Sequence, residues 1–373
     1  MTIFKQIPAE DRVSTRTLLH EAIPITGTIL SGTYGGHVTA STNVKNFTHG
    51  MFQSVYDYPF LSSSANHIFD ISLGTSANSA LSVSSQATKK DNIYNQMAQV
   101  LAGYDKDGNI QRFDEDGDLT GGTKIDNCIF LNFSRLLVKD EIKKGSFQLT
   151  LGVNNAYATP FTKLINITDH EAATSFKVNS PAGEYGILYA SSSTAGLLDP
   201  AAAQKVDIGG APYWKAGLIY YQAGIAVLSS SILSATGTVG GKGILTGLGA
   251  TKLDFKGDGT TLTGSIIANE ISASADYLRN RIQNIQFNNT IELNSTVYFC
   301  RVKHNEFNYS ANPTYLTGSQ IRVKQDATDI PISYITSIGL YSADNQLLAV
   351  GKFSEPIRKD NNIELTFRAR LDY

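Results

Sequence analysis

Ile363-Glu364-Leu365-Thr366-Phe367-Arg368-Ala369-Arg370-Leu371-Asp372-Tyr373 ends the sequence and sets the reading of the rest. Ile363, Leu365, Phe367, Ala369, Leu371 and Tyr373 alternate with Glu364, Thr366, Arg368, Arg370 and Asp372. A period of two puts apolar side chains on one face and charged ones on the other, which predicts a long β-strand. Upstream, Tyr334–Tyr341 and Gln346–Phe353 flank Ser342-Ala343-Asp344-Asn345, the pattern of a hairpin. Ser354-Glu355-Pro356 reads as the turn into the final strand, so the three runs predict a C-terminal β-meander.

Composition points the same way. Charged residues are 17% of the 373, below the usual quarter, while Gly (32), Tyr (18) and Phe (17) favour strands and turns. A surface so poor in charge is expected to be covered partly by other subunits. Lys plus Arg (31) against Asp plus Glu (33) leaves a net charge of -2, which argues against binding nucleic acid through phosphates. No apolar run has the length of a membrane span, and Met1–Gln6 lacks the basic-then-apolar pattern of a signal peptide. Cys128 and Cys300 read as buried reduced thiols rather than as one disulfide.

Along the chain, residues 1–27 read as an extended N-terminal arm with a short helical piece near Ala9–Leu19. Residues 28–153 read as a β-rich domain carrying a helix over 91–102, where Ile93, Met97, Val100 and Leu101 share a face and Gly103 caps the end. Lys124–Val138 and Ser146–Val153 read as strands joined by a charged turn. Residues 154–264 turn rich in Gly, Ser and Ala and read as an inserted β lobe. Its buried runs are Tyr185–Tyr189 and Ala216–Ile232. Residues 265–373 hold a second helix, Ala275–Ile285 capped by Ser274, then Thr290–Arg301 and the meander, packing with 28–153. The fold class is α+β, mainly β, with antiparallel sheets, β-sandwich-like lobes and two short helices.

Chemistry-bearing patterns each have a plainer reading. Asp105–Asn109 and Asp114–Asp118 bring several carboxylates onto short loops, as calcium prefers. Gly108 and Gly117 fall too early for the helix–loop–helix calcium motif and no glutamate closes either loop. Asp-Gly is first a turn signal, so no metal site is assigned. Gly240-Gly241-Lys242-Gly243 lacks the Ser or Thr that a phosphate loop needs after its Lys. The histidines (His20, His37, His49, His67, His170, His304) show no ligand spacing, and no Gly-x-Ser-x-Gly elbow occurs. Catalytic residues and cofactors are therefore expected to be absent. The apolar and aromatic residues Ile3, Phe4, Ile7, Phe52, Tyr56, Tyr58 and Phe60, with the charged Glu364, Arg368 and Arg370, are the expected subunit interface.

Four stretches carry a resemblance: Asn46–Pro59 (NFTHGMFQSVYDYP), Asn92–Leu101 (NIYNQMAQVL), Tyr221–Leu228 (YQAGIAVL) and Asn305–Ser310 (NEFNYS). With the C-terminal runs, they resemble virion structural proteins of large contractile-tailed phages of the cyanophage type. The C-terminal stretch alone is similar to the first sheet of tail-collar fibre proteins. The resemblance implies a non-enzymatic structural subunit of the virion tail or baseplate, assembled in the host bacterial cytoplasm. It implies a homo-oligomeric ring that anchors fibres or neighbouring tail proteins, with no nucleic-acid or membrane partner. A neck or collar position is the alternative, and a tail-associated glycan-binding or depolymerising protein is the rival of another class.

Overall fold

The computed structural model describes residues 4–21, 43–56, 58–81, 84–119, 121–137, 141–235, 243–246, 253–254, 266–310, 312–322 and 324–373. In chain order the elements are β1 (Arg12–Glu21), β2 (Val44–Asn46), β3 (Phe52–Tyr56), β4 (His67–Thr75), α1 (Ala87–Leu101), β5 (Asn127–Asn132), β6 (Glu141–Ile142), β7 (Gln148–Gly152), β8 (Leu164–Thr168) and β9 (Tyr185–Ser191). They continue with β10 (Lys205–Ile208), β11 (Ala211–Tyr220), β12 (Ile225–Ser229), α2 (Ile271–Arg279), β13 (Ile282–Gln286), β14 (Asn289–Val302), β15 (Leu316–Thr317), β16 (Gln320–Ile321), β17 (Ile332–Tyr341), β18 (Leu347–Asp360) and β19 (Leu365–Asp372). The protein is mainly β with two α-helices among the described residues, the expected class. Two compact units divide the chain: a larger one, His20–Ile291, and a smaller one made from Met1–Leu19 and Glu292–Tyr373.

The larger unit is organised by an 11-stranded sheet in the order β13-β7-β8-β9-β11-β12-β5-β4-β3-β2, with β10 on β11. The residues read as an inserted lobe, 154–264, supply β8, β9, β11 and β12 to the middle of this sheet. They are not a lobe, because Ile225–Ser229 pairs with Asn132–Cys128 across a shared core. Central strands are buried along nearly their whole length, as in Cys128–Leu131, Tyr185–Ala190 and Ala226–Leu228, which matches their continuous apolar runs. β5 and β7, read as strands joined by a turn, are not neighbours: β5 lies between β12 and β4, and β7 between β13 and β8.

Helix α1 packs on β4, where Gly74 brings the backbones so close that a Cβ would sit 2.8 Å from the Tyr94 amide nitrogen. It starts at Ala87, four residues before the expected start at residue 91. Its polar first turn includes Lys90, which is fully buried and donates to the carbonyls of Ile267 and Asn269, each at 2.6 Å. Gly103 ends the helix as expected, at φ +84 with its amide donating to Ala98. The second helix runs over Ile271–Arg279 rather than Ala275–Ile285. Ser274 lies inside it, with its hydroxyl donating to the Ile266 carbonyl, and Ile282 and Ile285 belong to β13.

Aromatic rings line the middle of this core. Phe113 meets Tyr94 edge-on at 5.4 Å, Phe130 at 5.9 Å and Tyr220 at 6.4 Å, and Tyr220 stacks on Tyr185 at 4.9 Å. Nearby, buried Asp169 accepts from the amides of Phe147 (3.0 Å) and Gly145 (2.7 Å) and from the Tyr221 hydroxyl (3.1 Å). Burial outweighs these donors and pushes its carboxyl up to about 6. A carboxyl raised above its unfolded value binds a proton more tightly in the fold. Its stabilisation is complete below about pH 4 and is lost as pH rises through about 6. The melting temperature of the native chain should therefore fall relative to Asp169→Asn between about pH 4 and 7. A difference that stays constant over that range would show that Asp169 does not titrate there.

In the smaller unit, β14 lies between β1 and β19. The sequence expectations differ here in two ways. Among the described residues of the expected extended arm only Ala9–Asp11 is helical, and Arg12–Glu21 is a strand on β14 of the same chain, reinforced by the Arg301 to Asp11 ion pair at 2.8 Å. The meander is also not formed. β17 and β18 make the expected hairpin, closed at Ser342–Asn345, but Ser354-Glu355-Pro356 lies inside β18. Pairing jumps from Ile335–Ile357 to Ser337–Lys352, so the segment around Pro356, which has no amide hydrogen to donate, bulges out of the ladder. β19 then pairs with β14, from Ser295–Asp372 to Val302–Leu365, and not with β18. Its alternation holds: Leu365, Phe367, Ala369 and Leu371 are half-buried, and Thr366, Arg368, Arg370 and Asp372 are exposed. Cys128 is buried, Cys300 is half-buried, and both are free thiols.

Candidate functional site

The acidic segment is the most built polar feature of the larger unit. It follows α1 and is cinched by the core. The Tyr94 hydroxyl donates to the Ile125 carbonyl (3.0 Å) and accepts from the Phe113 amide (3.2 Å), holding the two ends of the loop together. Asp114 bridges to Lys124, and the Glu115 amide donates to the Thr123 carbonyl. At the tip, the Gly117 carbonyl accepts from the Tyr185 hydroxyl and from Asn179, each at 3.0 Å. Tyr185 stacks in the core, so the core positions the loop.

The two acidic stretches that look alike in sequence differ in physics. Asp105 satisfies itself: one carboxylate oxygen accepts from the amides of Asp107 (2.9 Å) and Asn109 (2.8 Å), and the other from the Asn109 side chain (3.2 Å). The backbone amide of Asn109 is the main cause holding that carboxyl below its ordinary value. Asp114, Asp116 and Asp118 instead converge, each offering an oxygen within 4.8 Å of the other two. Asp114 has no exposed surface. Its Oδ2 accepts from Lys124 at 2.8 Å, while its buried Oδ1 has no hydrogen-bond partner. Burial pushes the Asp114 carboxyl up, against the pull of Lys124. A Cβ on Gly122 (φ +62) would come 3.4 Å from Asp114 Oδ1 and 3.4 Å from Asp116 Oδ2, so both oxygens border the same glycine.

The expected interface residues fall into two groups. Phe4, Ile7, Glu364, Arg368 and Arg370 belong to the smaller unit, and Phe52, Tyr56, Tyr58 and Phe60 to the larger; Ile3 lies outside the described residues. Phe4 is 51% exposed and rests edge-on against Tyr341 at 4.8 Å. Ile7 is half-buried, and the exposed Glu364 lies 3.3 Å from the His304 ring. Arg370 donates to Ser295 and Asp372, each at 2.8 Å. Arg368 is exposed on the same strand face. In the larger unit Phe52 clusters with Phe47 and His49, Tyr56 meets His67 and Phe60, and Tyr58 is exposed.

Sequence reading missed the feature that stands out most. β17 and β18 form a two-stranded sheet, and no third strand joins it among the described residues. Tyr334, Tyr341, Leu347, Leu348 and Val350 are exposed along it, Leu348 by 66%. Leu347 and Leu348 are neighbours and so point to opposite faces, leaving both faces at the hairpin end apolar and open. The signal was present in Leu347-Leu348-Ala349-Val350, which does not alternate with polar residues.

Of the other motifs, Lys242 lies outside the described residues, as do His20 side-chain contacts and His37. His67 sits 2.7 Å from Asp70, and no described helix is long and apolar enough to cross a membrane. No family model matches the chain, and no curated protein or solved structure matches it.

Proposed function

We propose that the protein is a non-enzymatic structural subunit of a tailed-phage virion, placed in the tail or baseplate. There it assembles in a ring with copies of itself and anchors fibres or neighbouring tail proteins. The observation that supports this reading is the β17–β18 hairpin. Two strands alone are marginal in water, and this pair carries Tyr334, Tyr341, Leu347, Leu348 and Val350 exposed. Such a ribbon gains most when another chain covers it. The resemblance of Asn46–Pro59, Asn92–Leu101, Tyr221–Leu228 and Asn305–Ser310 to phage virion proteins supplies the setting.

Replacing Leu348 and Val350 together by Asp tests it. Both side chains are exposed, so the melting temperature of the isolated chain should barely move, by about 0.5 kcal/mol or less in stability. Native mass spectrometry should show loss of the oligomer, and particles assembled with the variant should lack the subunit. A density map of the virion places the native chain directly. A monomer that occupies no ordered position in the particle would sink the proposal.

A further inference from the structure

We propose that Asp114, Asp116 and Asp118 bind one calcium ion. The inference stands apart from the virion reading and concerns a different unit from the hairpin. Three carboxylate oxygens within 4.8 Å of one another match a single ion whose bonds to oxygen are about 2.3–2.6 Å long. Clustered acids alone do not make a site, since they are common on surfaces. The deciding atom is Asp114 Oδ1.

That oxygen belongs to a side chain with no exposed surface, and it has no hydrogen-bond partner. Leaving a buried charged acceptor unsatisfied is costly, and native folds rarely do so without a ligand. Lys124 does not solve the problem, because it lies on Oδ2. Lys215 is 4.0 Å from Asp116 Oδ2 and leaves Asp114 Oδ1 untouched. Asp114 Oδ1 and Asp116 Oδ2 both border Gly122, where a Cβ would stand 3.4 Å from each of them. A cation there satisfies the buried oxygen and offsets the repulsion among the three carboxylates. Calcium fits better than magnesium, because it accepts irregular all-oxygen shells and completes them with water. The Asp105 turn makes the control, since its carboxylate is already saturated by its own loop.

The full chain, freed of metal with a chelator, is titrated with calcium chloride and melted at each step. A rise of roughly 2–4 °C is expected at millimolar calcium, with little change from magnesium chloride. Terbium should show sensitised emission, because the Tyr185 hydroxyl bonds to the Gly117 carbonyl within the loop. Asp116→Asn and Asp118→Asn should abolish both responses, and Asp105→Asn should keep them. No melting shift together with no terbium emission from the native chain would overturn the proposal, whatever the variants do. A calcium response that survives both loop variants, or is lost with Asp105→Asn, would overturn it equally.

Discussion

Gly217→Ala should collapse the sheet of the larger unit. Gly217 lies in β11 where pairing with β9 skips a residue between Lys215 and Gly217. The resulting bulge presses the backbone against β12: a Cβ at residue 217 would lie 2.0 Å from the Val227 carbonyl oxygen and 2.9 Å from Leu228 Cα. Neither atom belongs to a flexible side chain, so relief requires two central strands to part. Strand β12 also pairs with β5, and a shift there spreads across the sheet. The cost should reach about 3 kcal/mol or more, above ordinary overpacking. Gly196→Ala makes the comparison: its φ of +70 is unfavourable for alanine, but nothing lies within 4 Å of the added carbon, so about 1–2 kcal/mol is expected. Urea melts of the two variants check the ranking. Equal losses would show that the bulge yields without cost.

What was legible in the sequence follows from how many neighbours each element needs. The alternation of Leu365–Asp372 was readable because one face meets solvent, so polarity records orientation directly. The end of α1 was readable because Gly103 adopts a left-handed conformation that few other residues tolerate. Leu278, Ile282 and Ile285 keep helical spacing across the turn at Asn280 and Arg281, where the helix gives way to β13, and so the periodicity misplaces α2. The helix stops where Arg281, buried, donates to the carbonyls of Gly152, Asn154 and Asp254. Those partners lie far along the chain, and no local pattern reports them. Lys90 is a similar case, a lysine drawn inside by two carbonyls of residues 267 and 269. The acidic loop was half-legible. Its turns were evident, but only packing distinguishes the self-satisfied Asp105 from the buried, underbonded Asp114. That the apolar hairpin stays open is not legible in the sequence, because the alternating run that follows it reads as its third strand and instead pairs with β14.

Ending the chain at Asn362 should abolish the fold of the smaller unit. β19 supplies the ladder from Leu365 to Asp372 along β14, and Tyr373 adds two backbone bonds with Asn294, at 2.8 and 2.9 Å. Its removal bares one edge of β14 and withdraws Phe367 from Phe353, the ring contact, at 4.8 Å, that ties β19 to the hairpin. β6 pairs only with Asn289 and Thr290, so residues 295–302 of β14 keep β1 alone, a two-stranded ribbon too small for independent stability. Point changes should act on a smaller scale. Phe367 is half-buried, so Phe367→Ala should cost about 1–2 kcal/mol rather than the 3–5 kcal/mol of a fully enclosed ring. Arg368→Ala, on the exposed face, should stay within about 0.5 kcal/mol. Limited proteolysis separates these outcomes. In the truncated chain, cleavage should spread through 292–362 while 141–235 and 266–291 stay as protected as in the native chain, because the core of the larger unit includes no residue of β19. Protection of 292–362 equal to that of the native chain would mean that β14 and the hairpin are held by contacts other than the final strand.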